Sequence, residues 1–290
     1  MKLSVESYAL MQKLGDLKGL ETIKQAGFDC VDMSYYWQKE DSLLLGDNYR
    51  EYAIKLRKHI DQIGLVCNQA HAPFDFKYGM DLSLSNPDYL AITRAIESAS
   101  ILGAKNIVVH SIILKEDSKI IFDREYNLAF FKSFLPLCEK FNIRIAVENL
   151  FVLDDKRGYY RGRLGTASEL SAFIRELNSP YFVACVDVGH AAMTGNEPEE
   201  FISNMDNILL QALHVQDGNY RVDSHTLPYL GDFNWTAIMQ ALKNIDYKGE
   251  LTFEIVKYLK NIPAELLLDS LIYAEKVGRY LISIFQNHLS

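Results

Sequence analysis

Short aliphatic and β-branched runs alternate with longer segments of helical periodicity from one end of the chain to the other. The runs predict strands over 3–7, 30–34, 65–70, 106–111, 144–149, 183–188, 210–215 and 250–255. Between them lie helical segments with apolar positions at the helical repeat, such as 49–63, 88–102, 125–141, 167–177, 235–245 and 263–285. Several of these helices stop at Gly or Asn, residues that readily take the left-handed conformation beyond a last turn. The strand runs are apolar without clean alternation, as expected where one face packs a barrel interior and the other lies under helices. Eight strand-then-helix units in 290 residues predict an α/β protein of the (β/α)8, or TIM, barrel class. A doubly wound sheet opens on a Gly-rich turn, and the chain has no G-x-G-x-x-G or Walker-type loop. Without a Pro/Gly/Ser-rich linker, low-complexity tract or charge block, residues 1–290 read as one domain.

The polar positions carry the functional information. His71, His110, Glu148, Asp187, His214 and Glu254 each close an apolar run, and His190 follows Asp187 by three residues. A barrel brings such strand ends into one bowl, where several carboxylates repel one another unless a cation or a shared proton compensates them. A divalent metal is the economical compensation. Glu148, Asp187, His214 and Glu254 form an oxygen-rich set with one imidazole, suited to Mn²⁺, Zn²⁺, Co²⁺ or Mg²⁺. The set contains no thiolate, which argues against a closed structural zinc site.

Composition narrows the classes further. The chain is 49% apolar and 23% charged, an ordinary globular balance. No stretch reaches the roughly 18 consecutive apolar residues of a membrane span, and the start lacks a signal-peptide core, so a cytoplasmic protein without membrane contact is expected. Cys30, Cys67, Cys138 and Cys185 are scattered with no Cys-x-x-Cys pair and read as small core residues. A net charge of −8 argues against extended binding of a nucleic-acid backbone. One basic cluster, Lys156, Arg157, Arg161 and Arg163, reads as a loop, either solvated or binding an anion. The apolar final helix, with Leu271, Ile272, Leu281, Ile282 and Ile284, either closes the barrel or serves a homo-oligomer.

At the strand ends the sequence resembles the xylose isomerase-like superfamily, the sugar phosphate isomerase/epimerase group that also includes the endonuclease IV type of abasic-site nuclease. The resemblance runs through Gln69-Ala70-His71-Ala72-Pro73-Phe74, Val108-Val109-His110, Val147-Glu148-Asn149, Val186-Asp187-Val188-Gly189-His190 and Leu213-His214-Val215-Gln216-Asp217. It continues through Asp223-Ser224-His225-Thr226-Leu227-Pro228, Gly231, Trp235 and Phe253-Glu254, covering nearly the whole chain. The resemblance implies that Glu148, Asp187, His214 and Glu254 hold one metal, and that Glu148 and Glu254 double as acid and base. A metal chelated by a carbonyl and its neighbouring hydroxyl acidifies the C–H between them, so a carboxylate of ordinary basicity can remove the proton and leave an enediolate.

His71, His110, His190 and His225 are expected beside the substrate, which the resemblance makes a small sugar or sugar phosphate. Arg221 is placed to steady an oxyanion or hydroxyl, and Trp37 and Tyr36 could wall off the sugar. The implied activity is therefore a metal-dependent sugar isomerase or epimerase. Two rivals use the same residues. Dehydration of a cyclic polyol could proceed through the same enolate. Alternatively, His71, His110, Glu148, Asp187, His190, His214, Asp223, His225 and Glu254 match in type and order the ligands of a three-zinc endonuclease IV site. Against the nuclease stand the acidic balance and Asp-Val-Gly-His in place of that pattern's Asp-Thr-Cys-His. A non-catalytic carbohydrate-binding barrel would be expected to lose one of the two glutamates, and both are present.

Overall fold

A computed structural model describes residues 1–36, 42–74, 76–116, 119–154 and 159–286. Its strands are β1 (Leu3–Glu6), β2 (Cys30–Ser34), β3 (Val66–His71), β4 (Asn106–Val109), β5 (Leu114–Glu116), β6 (Lys119–Ile121), β7 (Arg144–Glu148), β8 (Leu150–Asp154), β9 (Tyr159–Arg163), β10 (Phe182–Asp187), β11 (Leu210–His214) and β12 (Leu251–Phe253). Eight of them form one parallel sheet in the order β11-β10-β7-β4-β3-β2-β1-β12. A single parallel bridge, Val215 to Phe253, brings β11 against β12, and Val215 N–H donates to Thr252 O at 2.8 Å. The sheet thus curls into a nearly closed barrel with helices between its strands, the class expected from the sequence.

Each predicted strand lies within one or two residues of an observed one. The predicted helix over 125–141 divides into Arg124–Ser133 and Leu135–Phe141, with Pro136 in the first turn of the second segment. Proline fits a first turn because its missing N–H is already unpaired there. Asn142 and Asn178 end their helices in the left-handed conformation, as does Gly103 with φ 92°. The hairpins β5–β6 and β8–β9 were not expected. Arg161 and Arg163 consequently lie on a strand instead of in a loop, while Lys156 and Arg157 fall outside the described residues.

Two bodies of buried apolar side chains hold the fold. The larger lies between the sheet and the helices, and includes Leu3, Phe28, Phe131, Phe173 and Leu281. Leu271, Leu281 and Ile282 of the last helix are buried there, with Ile272 and Ile284 packed against them, so that helix closes the barrel. The smaller body, Val108, Ala146, Val183, Cys185 and Ala212, comes from β4, β7, β10 and β11 and fills one side of the interior. On the other side the interior is polar: Ser4 Oγ donates to Asn68 Oδ1 at 2.7 Å, and Gln69 Nε2 to Asp32 Oδ2 at 2.6 Å. At the strand N-termini, Arg144 Nη1 donates to Gln211 Oε1 at 3.1 Å. All four cysteines are buried and free, as expected.

Candidate active site

The C-terminal ends of the barrel strands carry the ionisable cluster. Glu148 ends β7, Asp187 ends β10, His214 ends β11 and Glu254 follows β12; Asp187 lies directly across from His214 in the sheet. The four buried side chains offer ligand atoms that all lie within 4.8 Å of one another. His214 Nδ1 is 2.8 Å from Glu148 Oε1 and 3.6 Å from Glu254 Oε2. Its other nitrogen, Nε2, faces Asp32 Oδ2 at 3.4 Å.

Further polar groups hold the carboxylates in place. Asp187 caps the helix Val188–Met193: Oδ1 accepts the His190 N–H at 2.7 Å, and Gln216 Nε2 donates to both carboxylate oxygens at 3.2 and 3.0 Å. Tyr36 donates its hydroxyl to Glu254 Oε1 at 2.5 Å. Glu148 Oε2 and Glu254 Oε2 are buried without a hydrogen-bond partner, although His110 Nε2 lies 2.7 Å from the first. Buried anionic oxygens with spare acceptor capacity, converging with an imidazole, fit a divalent cation.

The electrostatics follow from this crowding. Burial alone would raise the Glu148 carboxyl, but His214 and His110 hold it well below the usual carboxylate range. Glu254 is likewise raised by burial, yet His214 and His225 bring it down overall. Burial carries Asp187 up to about 6, against the pull of His190. Burial disfavours charge on His214 and His225, but their surroundings reverse this. Cys185, Glu254 and Glu148 push His214 well above the usual histidine range, and Glu254 and Asp223 carry His225 up to about 10. Protonated imidazoles thus balance the carboxylates, the charge that a bound cation would supply in their place.

Two smaller ligand-type groups adjoin the four-residue set. In one, His71 joins Glu148 and His214, and His71 Nε2 lies 3.0 Å from His110 Nε2. Burial lowers His110 to about 4. The other is His190, Asp223 and His225, in which His225 Nε2 is 3.0 Å from Asp223 Oδ1. Lys257 Nζ reaches Asp223 Oδ2 at 3.3 Å. His225 sits at φ 38°, a left-handed backbone that costs a non-glycine residue energy.

Sequence reasoning left several roles unassigned. Asp217, fully buried, accepts from Gly218 N–H, Tyr229 N–H and Trp235 Nε1, each at 2.8 Å, and from Phe233 N–H at 3.3 Å. One carboxylate thereby ties down the loop that carries Asp223 and His225. Gly231 is needed there because a Cβ would meet Asp217 Oδ1 at 2.3 Å. Gly189 is needed beside Gln216, whose amide carbon a Cβ would meet at 2.6 Å. Asp32, Gln69 and Gln216 were also missed as site residues. Asp32 and Gln69 sit inside apolar runs, and neutral amides carry no charge signal.

The remaining expected residues divide. His71, His110, His190 and His225 all border the four-residue set. Arg221 is exposed in the loop after β11, where its N–H donates to Asn219 Oδ1 at 3.2 Å. Trp37 lies outside the described residues, whereas Tyr36 is buried against the cluster and packs edge-on over His71 at a centroid distance of 4.8 Å.

With this geometry in view, the comparison with known proteins gives the family. A model described as xylose isomerase-like TIM barrel matches residues 20–273, and the chain belongs to that family. An uncharacterised protein of Methanocaldococcus jannaschii, MJ1311, is 26% identical over 261 residues, which span 88% of this chain and 83% of that protein. Among solved structures, a D-tagatose 3-epimerase-like protein superposes with a TM-score of 0.74 at 23% identity, covering 99% of this chain and 98% of its own. The IOLI protein with a bound zinc atom superposes with a TM-score of 0.75 at 16% identity, covering 98% and 99%. At these identities the superpositions speak for the shared fold. No helix among the described residues is long and apolar enough to cross a membrane.

Proposed function

We propose that the protein is a metal-dependent sugar isomerase or epimerase that transfers a proton through an enediolate. The observation that carries this reading is the pair of buried glutamates, Glu148 and Glu254, flanking His214 in a set of four ligand-type residues at the barrel mouth. Glu148, Asp187, His214 and Glu254 would hold one divalent ion, Mn²⁺, Zn²⁺, Co²⁺ or Mg²⁺. When bound, such an ion supplies Lewis acidity that polarises a carbonyl and its neighbouring hydroxyl. The superposition on a D-tagatose 3-epimerase-like protein and on a zinc-containing barrel supports the reading.

The chain's own groups then account for the proton. Glu148 and Glu254 both favour the ionised form, as a base requires. Removal by one glutamate and delivery to the opposite face of the same carbon by the other, which must then carry a proton drawn from solvent, inverts that carbon; removal by one glutamate and delivery of the proton to the neighbouring carbon, with the hydroxyl proton passing to the former carbonyl oxygen, moves the carbonyl. Tyr36 steadies Glu254, and Gln216 steadies Asp187. The histidines around the set are placed to bind sugar oxygens.

The test is exchange of solvent deuterium into a panel of ketoses and ketose phosphates, read by NMR on the metal-supplemented protein. Glu148→Gln and Glu254→Gln should each fold and lose exchange by about two to four orders of magnitude. Wild-type exchange in either variant would remove that residue from proton transfer.

One observation favours a second reading. The His71–Glu148–His214 and His190–Asp223–His225 groups offer additional ligand sets, as a multi-metal hydrolase of phosphodiesters would require. Nicking of abasic-site DNA that depends on His71 and His190 would establish that reading over ours.

A further inference from the structure

Behind His214 lies an acidic side chain with no part in the proton transfer. Asp32, on β2, is fully buried and faces His214 Nε2 with Oδ2 at 3.4 Å. Round the closed barrel β2 stands three strands from β11, so this contact crosses the interior. Among the described residues no other oxygen or nitrogen pairs with His214 Nε2, and the Cys185 thiol that also borders the ring is a weak acceptor. The ring's other nitrogen, Nδ1, is the one that faces Glu148 and Glu254.

Asp32 is itself held in place. It pairs with Gln69 in the ladder of β2 and β3, and Gln69 Nε2 donates to Asp32 Oδ2 at 2.6 Å. The same nitrogen reaches Leu213 O, the carbonyl just before His214, at 3.4 Å. One amide thus ties the carboxylate to the strand that carries the imidazole. Filling the interior would not require an acid at this position, since Ser4, Asn68 and Thr252 join one another there as neutral groups. A buried carboxylate is costly unless donors match it, and Asp32 Oδ1 has no partner. Gln69 supplies one donor to Oδ2, and the Nε2–H of His214 is the second.

We infer that Asp32 is a positioning residue for His214 as a metal ligand: it accepts the Nε2–H, fixes the ring, and makes Nδ1 the nitrogen presented alongside Glu148, Asp187 and Glu254. A histidine that gives one nitrogen to a metal carries its proton on the other, and a carboxylate that accepts this N–H makes the imidazole a more basic ligand. At 3.4 Å the pair is looser than a charge-assisted hydrogen bond, ordinarily about 2.7–2.9 Å, in a ring that is drawn toward Glu148 at 2.8 Å. The assignment rests on the metal-site reading above and extends it from the four ligands to the group that orients one of them.

The test uses Zn²⁺ alone on the full chain. Competition with a chromophoric chelator should give one Zn²⁺ per chain in the wild type and an affinity about ten- to a hundredfold weaker in Asp32→Asn, which keeps an acceptor for Gln69 but loses the carboxylate. The second readout is the ring-nitrogen NMR spectrum of histidine-labelled, Zn²⁺-loaded protein. In the wild type His214 should carry its proton on Nε2, far downfield as donation to a carboxylate makes it. In Asp32→Asn that proton should move upfield, a change that altered packing alone would not produce. Should Asp32→Asn fail to fold, the wild-type spectrum still tests the assignment: a proton on Nδ1, or an Nε2–H at the position of an unbonded ring, would overturn it. Affinity within about threefold of wild type in Asp32→Asn, or an unmoved Nε2–H, would overturn the role of Asp32 and leave the metal site standing. Absence of stoichiometric Zn²⁺ in the wild type would overturn the metal site itself and the positioning role with it.

Discussion

Tyr36 occupies one oxygen of Glu254 and leaves the other facing His214 and His225. Replacing it by Phe keeps the ring that packs on His71 and Phe74 but deletes the donor. Tyr36→Phe should therefore lower deuterium exchange by about tenfold to a hundredfold, the worth of one hydrogen bond to a charged group, with little loss of melting temperature. A kinetically unchanged variant would make Tyr36 packing alone. Glu6 makes a different case. It ends β1 fully buried, its Oε1 has no partner, and burial, reinforced by Glu254, carries its carboxyl up to about 8. Between the ordinary carboxylate range and about 8 the folded state holds a proton that the unfolded state releases, so this group makes stability fall as pH rises through that window, by up to about 1.4 kcal/mol per pH unit. Glu6→Gln can still accept the Tyr8 N–H and should raise the melting temperature at pH 8 while flattening its slope between pH 5 and 8, measured on chelated protein. An equally steep slope in the variant would contradict the argument. The four candidate metal-binding residues stand out in the sequence because each is an ionisable residue closing an apolar run, and the structure brings them together. Asp32 and Gln69 do not stand out, since in a strand buried on both faces hydropathy does not show which side chains enter the barrel.

The barrel strands were legible as elements for a related reason: their apolar runs are long enough to stand out between helical stretches. The hairpins β5–β6 and β8–β9 were not, because they are short antiparallel excursions with mixed polarity, inserted after two barrel strands. Short helices such as Val188–Met193 and Pro198–Ser203 hold too few turns to show a period. The loop after β11 was recognisable by its Asp223-Ser224-His225 motif, but what holds it was hidden, since Asp217 binds residues up to 18 positions away. Asp217→Ala strands four donors, three of them buried, and each buried one costs about 1–3 kcal/mol if left unpaired. It should lower the melting temperature strongly and speed amide exchange over residues 218–235. Protection equal to wild type over that stretch would show that the loop holds itself.

As a whole, the molecule gathers its buried carboxylates and imidazoles at one end of a single barrel. At the strand N-termini, Asn106 and Arg144 both donate to Gln211. At the opposite ends, Glu148, Asp187 and Glu254 meet around His214, and the interior beneath them stays polar on the side of Ser4, Asn68 and Gln69. This polarity of the barrel followed from the sequence, because all eight strands run parallel and their ionisable residues stand at the same end. The shape of the mouth did not follow, since hairpin walls and aromatic linings depend on loop conformation. The most direct measurement is solvent-deuterium exchange into ketoses by protein stripped of metal and then resupplied with Mn²⁺ or Zn²⁺. The account predicts exchange that is absent after stripping, returns with one tightly bound ion per chain, and is lost in Glu254→Gln. Exchange that survives stripping, or stoichiometric metal binding that restores none to any sugar, would contradict it.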